Sequence, residues 1–525
     1  MEKRELFVRK ASGLVRGMSA FDAFIGNILL ANLIYGAVGL LAVPVTYPGA
    51  HLMWSLVWAI IAALFLNIAY VLFGSRFPVS GGDYVFVGRT LHPALGFAAN
   101  AAMILMAGIF VTIYGNWAVT IGLSSFLTTL GFLTNNPGLI DLAAWACLPE
   151  VTFVIATIIN ILALAIVLTG LKASMITQKI FWIIGMIGVC LAIFLIAFTP
   201  HEVFISRFNA YASYTDVINS AFAEGFPIIE RWNDVTLALM AIGFSGLTVI
   251  YTQNSVYCGG ELQNPTKNMF WSIMGCLAVL APLNLIMAYG MQFIMGDQFL
   301  GSLYYLNYMG KSPLPIPVSY NLLASIIAPN AILIWVMGLG FMLWPFGTII
   351  FVYTFTSRAV MAWSFDRIIP DKFSEVSKKY HAPTYAILFI CVLAEIALIL
   401  YTWWVPFVTW IGYSAISCTV TYLFASIAGI FFPFRRKDLY KDSPAQVEIG
   451  GIPLMTISGI ISTIFMAALL YGLTTWPYTG LNKPEAILSS LIFFIAALVI
   501  YYISKYVRRT QGIDLELIYK EVPPA

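Results

Sequence analysis

Four amides, Asn27, Asn32, Gln253 and Asn254, sit inside stretches that are otherwise almost wholly apolar. The first two lie in FDAFIGNILLANLIYGAVGLL (21–41) and the other two in LALMAIGFSGLTVIYTQNSVY (237–257). Each stretch also carries glycines three apart, Gly36 and Gly39 in one, Gly243 and Gly246 in the other. In hydrocarbon every backbone N–H and C=O must be paired, so an interrupted helix persists only where it lines a cavity or is buried in protein. An interruption frees N–H groups at a positive helix end, which suit a carboxylate. It also frees C=O groups, which suit an ammonium group or Na⁺. A pocket offering both would match a zwitterion. The candidate binding residues are therefore Asn27, Ala31 and Asn32 on one stretch, with Gly243, Phe244, Ser245, Gly246, Tyr251, Gln253 and Asn254 on the other. The competing reading is plainer: the glycines serve close helix packing, and the amides rescue freed backbone.

Other polar groups in apolar runs are fewer. Glu395, mid-way through AILFICVLAEIALILYTWW, is a proton carrier, a protonated or hydrogen-bonded packing group, or an oligomer contact. Asp22 is expected to cap a helix start. Thr348 offers a hydroxyl to a sodium ion, should one bind. Tyr114, Trp410 and Tyr413 are candidate gating aromatics, although packing accounts equally for any aromatic in a chain with 15% of them. The absence of charge near the middle of the stretches that would line a pocket points to a neutral solute. No cofactor is expected. Six scattered cysteines form no pairing or metal-binding framework, and four histidines lack ligand spacing. A membrane-embedded enzyme would need clustered His, Asp or Glu, and a channel would show filter repeats or charged rings; neither pattern occurs.

These residues must be positioned by helices. The 525-residue chain is 60% hydrophobic and 10% charged, against about 25% charged in soluble domains. A net charge of +3 is too dispersed for a nucleic-acid partner. Twelve apolar segments are long enough to span a bilayer, at 20–41, 50–74, 94–128, 150–170, 178–199, 233–258, 269–295, 330–361, 383–402, 404–432, 452–474 and 484–506. With both termini cytoplasmic, only Arg207, Arg231, Lys311 and Lys483 of the 27 Lys and Arg fall in outer segments, as the positive-inside rule asks. The first and sixth spans would run in opposite directions, the pattern of an inverted repeat of spans 1–5 and 6–10 with spans 1 and 6 broken. The expected organisation is a cytoplasmic segment at 1–17, a core of ten helices at 18–432, a helix pair at 433–506 and a cytoplasmic tail at 507–525. The expected location is the plasma membrane, and oligomeric state is not legible.

Three loops carry a resemblance. SRFPVSGGDYVFVGRTLHPALGF (75–97) is similar to the R-x-P-x-S-G-G-x-Y signature of the amino acid–polyamine–organocation superfamily of permeases. GGELQNPTKN (259–268) resembles its G-E-x-x-N-P-x-[KR], and SRAVMAWSFDRIIPDKFSEVSKKYHAPTYAI (357–387) its S-R-x-x-x-A-x-x-x-D-x-x-x-P. The resemblance covers about residues 15–430 and implies a secondary active transporter with the inverted-repeat fold of the leucine transporter. Its substrates would be amino acids, or else amines, polyamines or another small organic solute such as a nucleobase, with H⁺ or Na⁺ as coupling ion. Arg76, Arg89, Arg358, Asp366 and Glu261 form a candidate latch on the cytoplasmic side. The chain departs from the family pattern in three places. ANLIY (31–35) stands where the family has G-S-G-I-F. The glycine-rich break of span six falls near Leu247–Gln253, beyond Gly243–Gly246. The lysine that some proton-coupled members carry deep in span five is missing from 181–198, with Lys172 and Lys179 only at its start.

Overall fold

The computed structural model describes residues 13–521, apart from 230–233, 247, 329, 405–406, 408–413, 477–478 and 480. The protein is mostly helical. Eleven helices are long and apolar enough to cross a membrane: Ala20–Thr46, Leu52–Arg76, Pro93–Leu133, Pro149–Leu168, Leu171–Ala197, Pro265–Tyr308, Ala331–Phe365, Thr384–Trp403, Ala415–Arg435, Leu454–Thr475 and Pro484–Thr510. The chain is a multi-pass membrane protein.

The expected sixth crossing has no counterpart among these eleven. Its described residues form only short pieces, Val235–Met240 and Ile242–Ser245, followed by 3₁₀ turns at Val249–Tyr251 and Asn254–Tyr257. The cause is local: Thr, Gln, Asn and Ser side chains compete with the backbone ladder, and the two glycines weaken it further. The first crossing is also divided. A helix at Ala20–Ala31 ends at Asn32, whose φ is +53°, and a second begins at Leu33 and runs to Thr46. Asn32 is suited to this, because asparagine visits the left-handed region more readily than most residues.

The remaining helices enclose these two. Ala20–Thr46, Pro93–Leu133 and Ala331–Phe365 bury most of their surface inside the bundle. Pro149–Leu168, Thr384–Trp403 and Pro484–Thr510 stand at the periphery and turn Ile158, Ile161, Val392, Ile396, Ile495 and Val499 outward, as lipid-facing surfaces do. The segment between the expected fifth and sixth spans holds two short helices, His201–Phe208 and Tyr214–Ala223. At one end of the bundle the three motif loops converge with the N-terminal strand-like segment, where Met18 pairs with Leu262 and Ser80 with Cys258.

Candidate functional site

Asn32 carries the interruption of the first span. Its Oδ1 accepts from the N–H groups of Ile34 at 3.0 Å and Tyr35 at 3.4 Å, capping the second half-helix. Its Nδ2 donates to Thr348 Oγ1 at 3.3 Å. The freed carbonyl of Leu29 is met by Thr348 Oγ1 at 2.7 Å and Trp344 Nε1 at 3.2 Å. The Thr348 hydroxyl is thus committed to backbone repair in this conformation. Asn32→Ala removes a cap worth about 1 kcal/mol and places a side chain with a methyl in a left-handed conformation at a further cost of about 1 kcal/mol. The expected outcome is a lowered thermal unfolding midpoint, of which Asn32→Gly recovers about half, since glycine restores the conformation but not the cap.

Asn27 ties the two interrupted stretches together. Its Oδ1 accepts from Ser255 N–H at 2.8 Å, and its Nδ2 donates to Ser255 Oγ at 3.0 Å and to the Ser272 carbonyl at 3.1 Å. One amide side chain here does the work of a missing stretch of ladder. Close by, Gly36 allows the second half-helix to lie against this segment: a Cβ at Gly36 would fall 1.8 Å from Thr248 Oγ1 and 2.8 Å from Asn284 Oδ1.

A small cavity of about 40 Å³ opens beside these contacts. Its walls come from Leu30 and Tyr35 of the first span, Met103, Ala107, Phe110 and Tyr114 of Pro93–Trp117, and Tyr251 and Asn254 of the short-turn segment. Val352, Phe355 and Cys418 complete it. Such a volume holds a few waters. Aromatic rings crowd around it: Tyr35 lies 6.0 Å from Phe110, 5.5 Å from Trp117 and 6.4 Å from Tyr251.

Of the residues expected at the site, Tyr114, Tyr251 and Asn254 line this cavity. Asn254 Nδ2 donates to the Tyr251 carbonyl at 2.7 Å, so it also supports the turn it belongs to. Gln253 is buried beside it, and neither atom of its side-chain amide finds a partner among the described residues. Gly243, Phe244, Ser245 and Gly246 face elsewhere. A Cβ on Gly243 would meet Leu473, and one on Gly246 would meet Ile250 and Ala59. Ser245 shares a 2.6 Å hydrogen bond with Ser55, and Phe244 packs on Tyr47. These four pack against neighbouring helices and do not line this cavity. Ala31 is buried in the first half-helix and does not line the cavity. Trp410 and Tyr413 lie outside the described residues. Glu395 accepts from Asn160 Nδ2 at 2.9 Å and Thr157 Oγ1 at 3.2 Å, between two peripheral helices and away from the cavity. Asp22 forms a reciprocal box with the N-cap Ser19 and pairs with Lys179 at 2.6 Å.

The candidate latch residues resolve into two separate ion pairs and one bystander. Arg358 grips Glu261 in a fork of 2.8 and 2.9 Å, with both side chains at most 2% exposed. Arg89 Nη2 meets both Asp366 oxygens at 3.0 and 2.9 Å. Arg76 instead donates to the Leu439 carbonyl and joins neither pair. Asp366 also accepts from Tyr84 OH at 2.6 Å, and Tyr84 shares a 2.6 Å hydroxyl contact with Tyr519 of the tail. The Tyr519 ring lies 4.7 Å from the Arg89 guanidinium, a cation–π contact. The tail position carried no signal in the sequence, being one tyrosine among 27.

No curated protein matches the chain. A family model described as amino acid permease matches residues 19–501, a stretch that takes in both interrupted segments, the cavity walls and both ion pairs. The chain belongs to the amino acid permease family, and its signature loops are those of an amino acid–polyamine–organocation superfamily permease.

Proposed function

We propose that this permease is a secondary active transporter that moves amino acids by alternating access, with substrate held where the interrupted first span meets the 249–257 segment. The observation that carries the reading is the cavity: it lies between two interrupted helical stretches, its walls are apolar and aromatic, and Asn254 is its one amide. Such a site suits a small solute whose charged ends are met by backbone groups and whose side chain is apolar. Spans 1–5 and 6–10 then form the inverted repeat, the 234–257 stretch makes the twelfth crossing, and the Arg358–Glu261 and Arg89–Asp366 pairs fasten the cytoplasmic side. On this reading the protein works in the plasma membrane with both termini inside.

The decisive experiment is uptake of a labelled amino-acid panel into proteoliposomes, with proton or sodium gradients imposed in turn. Uptake or exchange of apolar amino acids is expected, and none for any amino acid would sink the reading. Phe110→Ala should shift preference toward bulkier apolar side chains by about tenfold, the usual worth of one or two methylenes in a fitted pocket; competition by a graded series of side chains checks it.

One observation favours a second reading. Asn32 Oδ1 already occupies the N–H groups of Ile34 and Tyr35, the donors a substrate carboxylate would use. A substrate lacking a carboxylate, such as an amine, would leave that cap undisturbed. Adding decarboxylated counterparts of each amino acid to the panel separates the two.

A further inference from the structure

One carboxylate at the motif end is left over once the ion pairs are made. Asp83 opens the short helix Asp83–Thr90 and is 1% exposed. Three side chains from three elements donate to it. Asn100 Nδ2 reaches Oδ1 at 2.6 Å, while Tyr70 OH and Tyr257 OH reach Oδ2 at 3.0 and 2.7 Å. The titratable groups that face it are Tyr70 from Leu52–Arg76, Tyr257 from the Asn254–Tyr257 turn, and Tyr422 and Cys418 from Ser414–Arg435. No Lys, Arg or His among the described residues pairs with it. Asn100 is itself fixed by Trp363 Nε1 at 2.7 Å.

Asp83 is coupled to the cavity through Tyr257. The Tyr257 hydroxyl lies 3.4 Å from the sulfur of Met103, a cavity wall. Gly82, at φ +55°, lets the loop close on the Tyr257 ring, since a Cβ there would fall 2.7 Å from it. Tyr70, the second donor, packs on Tyr422, which packs on Tyr251 of the cavity.

We propose that Asp83 is a proton-binding site whose occupancy decides whether the 249–257 segment stays fastened to the loop between the second and third helices. The proposal rests on the reading that this segment forms the transport site. The hydrogen-bond count gives the mechanism. An ionised carboxylate accepts all three donors. When a proton from the aqueous phase binds Oδ2, that oxygen becomes a neutral hydroxyl, which donates one hydrogen bond and accepts only weakly, so the charge-assisted bonds from Tyr70 and Tyr257 are exchanged for neutral ones of about half the strength. The tether from the segment then slackens. Burial holds the Asp83 carboxyl above its ordinary range, against the lowering effect of its hydrogen bonds from Tyr257, Asn100 and Tyr70, so the proton is taken up closer to neutrality than on an exposed aspartate. Opening is therefore favoured as pH falls.

Cys258, fully buried and next to Tyr257, reports the state of the tether. The full chain is prepared with the other five cysteines replaced and reconstituted in liposomes, and the rate of Cys258 alkylation by a permeant maleimide is followed from about pH 8 to about pH 5. Thiolate chemistry alone slows this reaction as pH falls, so each rate is divided by that of Asp83→Asn at the same pH. The ratio is expected to start about tenfold below one at high pH, the worth of one hydrogen bond to a charged group, and to rise toward one as Asp83 takes its proton. Tyr257→Phe keeps the carboxylate and removes the tether; it should label faster than the unsubstituted residue at high pH, with the two rates converging as pH falls, and it decides the matter should Asp83→Asn fail to fold. A ratio that is flat with pH, or a Tyr257→Phe profile equal to that of the unsubstituted residue, overturns the proposal. Labelling requires no substrate, so a failed amino-acid panel would overturn the transport reading while leaving this result standing.

Discussion

Arg358→Ala is expected to destabilise the protein by about 3–5 kcal/mol, because it strands Glu261 as an uncompensated buried charge. The pair is forked, at 2.8 and 2.9 Å, and lies at most 2% exposed, so solvent cannot take over when one partner is lost. The same fork joins the long helix Ala331–Phe365 to the loop that follows the 249–257 segment. Any motion that opens this end must break it. Transport rate should therefore change far more than substrate affinity: initial uptake altered by about tenfold or more, with the half-saturating concentration within about threefold, since only interactions that differ between conformational states alter the rate of passing between them. Thermal unfolding in detergent and initial-rate uptake check the two halves. Replacing both residues by apolar ones of similar volume should recover much of the stability without restoring the rate. An Arg358→Ala protein that melts and transports like the original would refute the latch.

Gly36→Ala is expected to abolish most transport while leaving the helices in place. The new Cβ would stand 1.8 Å from Thr248 Oγ1 and 3.1 Å from Thr248 Cβ, so either the threonine turns or the two interrupted stretches part. Forcing an extra methyl into such a contact costs about 1–3 kcal/mol, and here the strain falls on the contact beside the cavity. Uptake should drop by about tenfold or more. Thr248→Ala in the same chain removes the colliding hydroxyl and should restore uptake. If the double variant is as inactive as the single one, the close approach of these stretches is not what transport requires.

What could be read from the sequence divides along chemical lines. The sequence marked 26–39 and 243–254 as candidates for interruption, because glycines and amides gather there inside apolar runs, although close packing accounts for the same glycines. The motif residues Glu261, Arg358 and Asp366 were legible as a group, but their pairing was not. Spacing along a chain does not say which arginine reaches which carboxylate, and Arg76, expected among them, meets a carbonyl instead. Gly243 and Gly246 lie against neighbouring side chains rather than the cavity, and a glycine that admits a neighbouring helix and one that breaks a helix at a site look alike in sequence. Most of the cavity wall was illegible for a simpler reason. Leu30, Met103, Ala107, Phe110, Val352 and Phe355 are ordinary residues for a chain that is 60% hydrophobic, and only three-dimensional position sets them apart. Asp83 was visible as part of a motif, but its lack of a cationic partner among the described residues is a property of the assembled bundle.

The hydroxyl contact between Tyr84 and Tyr519 joins positions 435 residues apart, and this has a consequence for the order in which the protein is made. Helices that emerge early from the ribosome can pack early. The Arg89–Asp366 pair can form once Asp366 has been synthesised, but until the tail arrives one side of it has no Tyr519 ring over the guanidinium. Charges that face water attract each other weakly, by about 1 kcal/mol at contact, and several times more strongly once the surroundings are dry. This closure thus gains its full strength only after residue 519 has been made. A chain halted before residue 519 would carry every helix and both ion pairs, yet would hold this end less firmly shut.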